Sequence, residues 1–108
     1  MKRFHIAIST QDIEATVKDY SDRLHIQPCL VVPGEYALWR TDTLNLSVRK
    51  NMSGSLGEVR HLGWEDAEAN GFSAETDVNG IVWEKFNASA QAEEINEIWS
   101  DVDYLPES

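Results

Sequence analysis

The amino-acid sequence predicts an α+β fold in which a β-α-β-β-β unit is followed by a shorter run of strands and a final helix. Three observations carry this. Apolar residues alternate at every second position from Arg3 to Ser9, their spacing turns helical after Asp12, and alternation returns in a strand opening at Val59. A chain of 108 residues can bury one hydrophobic core but not two independently stable ones, so both units are expected to share one domain, 1–108.

In the opening strand, Phe4, Ile6 and Ile8 fall on one side and His5, Ala7 and Ser9 on the other, the pattern of a half-buried strand. From Asp12 the apolar positions Ile13, Val17, Tyr20 and Leu24 fall on one helical stripe, with Asp12 and Glu14 at the positive end and Arg23 and His25 at the negative end. His25, just past that end, reads as a surface cap. Pro28 stops the helix. Strand-like runs follow at Cys29 to Val32, Glu35 to Arg40 and Leu44 to Arg49, separated by Pro33-Gly34 and Thr41-Asp42. Cys29, at a strand start, reads as a small buried apolar residue. Asn51 to Gly57 has the small, polar composition of a connector, so residues 3–50 form a complete first module.

The second unit, 58–103, is shorter. Its opening strand, Val59 to Glu65, sets Val59, His61 and Gly63 against Arg60, Leu62 and Trp64. Phe72 to Thr76 and Ile81 to Phe86 are two further strands joined by the turn Asp77 to Gly80, whose Asn79-Gly80 is a strong hairpin signal. A helix capped by Ser89 then carries Ala92, Ile95, Ile98, Trp99 and Val102 on one stripe, with Gln91, Glu93, Glu94, Glu97 and Asp101 opposite. The four tryptophans, Trp39, Trp64, Trp83 and Trp99, are expected to lie mostly in the core.

Charge narrows the partners. Residues 1–54 carry a net +1 and residues 55–108 a net −11, for −10 overall. Phosphate backbones need clustered Lys and Arg, so nucleic acid is not an expected partner. No apolar run approaches the roughly 18 residues that span a bilayer, and no signal-peptide core follows Met1-Lys2-Arg3. With a lone Cys29 besides, the expectation is a cytoplasmic protein without membrane contact.

Three segments, in order, give a more specific reading. FHIAIST-QDIEATVKDYSDRL, RHLGWEDA (Arg60 to Ala67) and DVNGIVWEKF (Asp77 to Phe86) resemble the opening strand and helix, the second opening strand and the closing motif of the vicinal oxygen chelate superfamily. That group includes glyoxalase I, extradiol dioxygenases, fosfomycin-resistance enzymes and bleomycin-resistance proteins. The resemblance covers most of residues 3–86. It implies two βαβββ-type modules curling into a mixed-sheet cup, with metal ligands projecting inward from the first and last strands of each. It assigns those positions to His5, Asn45, His61 and Glu84. Asn45 is a poor metal ligand, so His5, His61 and Glu84 remain as the candidate set for a divalent ion, Fe(II), Mn(II), Ni(II) or Zn(II). Asn45, Ser47 and Arg49 share a strand face and are candidates to line the cup and meet substrate, with Arg49 suited to an anionic group.

The family's implied activity is a metal-dependent lyase or oxidoreductase acting on a small oxygen-rich or carbonyl substrate. The alternative is a non-catalytic dimer that sequesters a small molecule, as bleomycin-resistance proteins do; a third reading is a scaffold that only dimerises or contacts other proteins. The sequence departs from the family in its second module, where only Asp66 to Gly71 stands in place of a helix and a strand. The final helix is therefore expected to cover the sheet face that the lost helix would have covered. The lost strand leaves a bare edge, which predicts a homodimer.

Overall fold

The structure, a computed structural model, describes residues 1–54 and 57–107, so Ser55 and Leu56 of the expected connector lie outside the described residues. The chain runs β1 (Lys2–Thr10), α1 (Ile13–Leu24), β2 (Leu30–Val32), β3 (Tyr36–Arg40), β4 (Leu44–Lys50), β5 (Val59–Asp66), β6 (Ser73–Thr76), β7 (Val82–Phe86) and α2 (Ala88–Ile98). The strands form one open, curved mixed sheet in the order β2-β3-β4-β1-β5-β7-β6. The two halves meet where β1 and β5 pair antiparallel, His5 beside Gly63 and Ala7 beside His61. Each half repeats one plan. The first strand lies parallel to the last, β1 with β4 and β5 with β7, and the last lies antiparallel to the strand before it. Among the described residues, the second half has no counterparts of α1 and β2.

Local chemistry sets the helix ends. Asp12 accepts the Ala15 N–H at 3.0 Å, which starts α1. His25 ends it in the left-handed region (φ 57°) and donates its backbone N–H to Ser21, so it is the cap that its position suggested. For α2 the cap is Asn87 and not Ser89: the Asn87 side chain accepts the Ala90 N–H at 2.7 Å.

The two faces of the sheet carry different cores. On the outer face, Ile13, Val17, Tyr20 and Leu24 of α1 pack on Ala37, Trp39, Leu46 and Val48, with Ile6 and Ile8 beside them. On the inner face, Ala92 and Ile95 of α2, with Tyr104 beyond it, pack on Val32, Tyr36 and Leu38. The final helix thus covers the inner face of the first half, not the outer face left bare by the missing helix. Leu38 and Tyr36 point away from α1 by strand alternation and have no other cover, so the apolar stripe of α2 is drawn there.

The outer face of the second half stays open. Trp64 is 40% exposed, against 0% for Trp39, and Phe4 packs edge-on to it with ring centroids 5.3 Å apart. Trp64 is therefore not a core residue. Cys29 is exposed rather than buried, its Sγ 3.7 Å from the Tyr104 hydroxyl. Among the described residues, no helix is long and apolar enough to cross a membrane.

Candidate metal centre

His5, His61 and Glu84 come together on the inner face, from β1, β5 and β7. The Nε2 atoms of His5 and His61 stand 3.0 Å apart, and His61 Nε2 stands 3.0 Å from Glu84 Oε1. Close strand pairing brings them there. Gly63 lies between β1 and β7, and a Cβ on it would run into the Glu84 main-chain carbonyl, so only glycine lets β7 approach this closely.

A buried chain of hydrogen bonds fixes which nitrogen of His5 faces the site. Glu65 accepts from Arg3 Nη1 at 2.7 Å, and from Arg40 Nε at 2.8 Å and Nη2 at 2.9 Å. Burial alone would raise the Glu65 carboxyl, but hydrogen bonds from Arg40 and Asn45 and the charges of Arg40 and Arg3 outweigh it and hold the group below its ordinary range. An ionised carboxylate only accepts, so it is the Asn45 Nδ2 that faces it, donating at 2.8 Å. Asn45 Oδ1 consequently points at His5. His5 Nδ1 lies 2.9 Å from that oxygen and 3.0 Å from the Asn45 main-chain carbonyl, both acceptors, so Nδ1 carries the proton. Nε2 then presents a lone pair toward His61 and Glu84. Burial, with the neighbouring His61 adding to it, pushes His5 down to about 4, which keeps the ring neutral at pH 7. Gln91 of α2 completes the network, pairing its amide with that of Asn45 at 2.8 and 3.1 Å.

This donor set fits a divalent ion. Two neighbouring ligands of an octahedral ion, each bonded at about 2.1 Å, lie about 3 Å from one another; His61 stands at that spacing from both His5 and Glu84, and the three ligand atoms all lie within 4.8 Å of one another. The carbonyl-held Nδ1–H of His5 is the outer hydrogen bond that metal-ligating histidines ordinarily make. Glu84 is held below the usual carboxylate range, chiefly by its hydrogen bond with His61 and despite its burial, so its oxygens are available as ligands.

Of the residues expected to meet substrate, Ser47 and Arg49 line the pocket beside this cluster. Asn45 does not. It is fully buried, and its amide is taken up by Glu65 and Gln91 while its oxygens hold His5. It positions His5 instead of lining the cup. Arg40 lies on the same inner face, beside Asn45, and is bound to Glu65.

Four residues escaped the sequence reading. Gln91 and Glu94, placed on the solvent side of the last helix, line the pocket, with Gln91 only 6% exposed. Partial desolvation and the nearby Glu84 raise the Glu94 carboxyl. Arg60 also lines the pocket, because a β-bulge between Ala7 and Ile8 of β1 and His61 and Val59 of β5 breaks the alternation and gives it the same side as His61. Glu65 left no sign in its own strand beyond being a charge with inward phase.

No protein-family model and no curated protein matches the chain. Among solved structures it is similar to a Legionella pneumophila chain described as NAD-dependent benzaldehyde dehydrogenase, at 10% identity and a TM-score of 0.56, over 78% of this chain and 97% of that one. At that identity the likeness concerns the fold alone.

Proposed function

We propose that this chain is a divalent-metal protein of the vicinal oxygen chelate type with a shortened second module, acting on a small oxygen-rich or carbonyl substrate in the cytoplasm. The observation that carries the reading is the convergence of His5 Nε2, His61 Nε2 and Glu84 Oε1, with His5 held in the tautomer that leaves its lone pair facing the others. When bound, a Fe(II), Mn(II), Ni(II) or Zn(II) ion supplies Lewis acidity for vicinal oxygens or, as Fe(II), a site for dioxygen. The chain's own contribution is orientation and shelter. Glu65 and Asn45 fix His5, α2 shields the inner face from water, and Ser47 and Arg49 offer contacts to the substrate.

Metal analysis of protein purified without a polyhistidine tag tests this. About one equivalent is expected, falling to background in His61→Ala and Glu84→Ala while both variants keep their circular dichroism spectrum. Wild-type protein that takes up none of the four metals overturns the enzyme reading in favour of metal-free small-molecule binding. A homodimer is part of the same proposal, supported by the edge strand β6, whose four residues are all exposed. Sedimentation equilibrium should give twice the monomer mass at micromolar concentration, and a monomer mass would remove it.

A further inference from the structure

We propose that Arg49 and Arg60 form a carboxylate-recognition site in the pocket, which makes the substrate a small carboxylic acid bearing a hydroxyl or carbonyl oxygen on the neighbouring carbon. The placement of that second oxygen against His5, His61 and Glu84 rests on the metal reading above; the recognition of the carboxylate does not.

The chain has five arginines. Three are satisfied internally: Arg3 and Arg40 by Glu65, and Arg23 by Asp19. Arg49 and Arg60 are the other two, and among the described residues neither makes an ion pair or a side-chain hydrogen bond. In a chain of net charge −10, with 19 acidic side chains, both of these arginines line one pocket, Arg49 half-buried and Arg60 exposed, with donors open to a ligand. Arg49 is half-buried with its guanidinium 5.4 Å from the centre of the Trp99 ring, a contact that holds the group while leaving its N–H donors free. The bulge in β5 gives Arg60 the pocket side. Both arginines line one pocket, where a single anion can meet the two cations together.

The size of the pocket restricts the ligand. The cavity measures about 30 Å³, beneath α2 and beside Phe72 and Phe86, roughly two to three times the space that admits one water molecule. Only a compact head group enters below the mouth, and a planar carboxylate matches the donor fork of a guanidinium. Glu84 and Glu94 line the same pocket, so the site has a cationic side and a carboxylate side. A metal on His5, His61 and Glu84 would offset the latter and leave two positive centres facing a ligand with two adjacent oxygens.

The test uses propionate, glycolate and uncharged hydroxyacetone as probes, read by tryptophan fluorescence and calorimetry on the full chain. Chelator-treated protein should bind propionate, and Arg60→Gln and Arg49→Gln should each weaken that binding about tenfold or more, with Arg49→Lys recovering part of the loss. Mn(II)-loaded protein should prefer glycolate over hydroxyacetone by about tenfold, and the preference should vanish in Arg60→Gln while Mn(II) affinity stays unchanged. If Mn(II) does not bind but propionate does, the metal reading fails and the carboxylate site stands. If Mn(II) binds and the folded arginine variants retain wild-type propionate affinity and glycolate preference, the proposal is overturned.

Discussion

The two halves of the sheet follow the same strand plan but are stabilised differently. In the first, β1, β3 and β4 are covered on the outer face by α1 and on the inner face by α2, and Ala37, Leu38, Trp39 and Val48 have no solvent exposure. In the second, β6 is wholly exposed, Trp64 is open on the outer side, Val82 is exposed as well, and Phe86 is the one apolar side chain of β5 to β7 that is fully buried among the described residues. The first half therefore works as a frame. The second is held by pairing of β5 to β1, and it presents His61 and Glu84 to a His5 held by Asn45 of the frame, whose amide Glu65 of β5 orients in turn. The proposed metal site therefore depends on the pairing of β1 with β5, which brings its residues together.

The largest expected effect is in the frame. Trp39→Ala removes a fully buried side chain packed under α1 and should cost about 3–5 kcal/mol in urea unfolding; a loss below about 1 kcal/mol would contradict the division into frame and dependent half. Next comes the seam. Gly63→Ala forces a Cβ against the Glu84 carbonyl and should destabilise by about 1–3 kcal/mol, as overpacking usually does. It should also weaken metal uptake more than Trp39→Ala does among molecules that remain folded, because it moves β7 relative to β5.

Acid sensitivity sharpens the comparison further. Glu65 lies on β5 yet is bound to Arg3 of β1 and Arg40 of β3, so it ties the halves together. Its folded-state pKa is below the ordinary 4.5. The unfolded chain thus takes up the proton first as pH falls, and the stabilisation is intact above pH 4.5 and lost as pH drops through the lower folded value. Glu65→Gln should be less stable than wild type at pH 7 and show a flatter decline below pH 4.5 in urea titrations. The smallest effect belongs to Trp64→Ala on the bare face, expected within about 1 kcal/mol for the isolated monomer. A larger loss that depends on protein concentration would mean that this face is covered by a second copy.

Much of the candidate site was legible in the sequence. Alternation in Arg3 to Ser9 and Val59 to Glu65 puts His5 and His61 opposite the bulky apolar residues, and the hairpin signal at Asn79-Gly80 sets the phase of Glu84. These are local properties, written in a period of two, and any register that buries Ile6 and Ile8 on the α1 side delivers His5 to the other. The sequence by itself therefore determined the α+β class, the order of the elements and the face of each candidate ligand. Tertiary structure decided the rest. Whether α2 lies on the inner or outer face depends on which apolar strand surface is left uncovered, a matter of the whole sheet. The role of Asn45 depends on Glu65, 20 residues away, and on Gln91, 46 residues away. The side taken by Arg60 depends on a single bulge in pairing with β1. Alternation is set within a few residues, whereas bulges, helix docking and buried hydrogen-bond partners are settled only when distant segments meet.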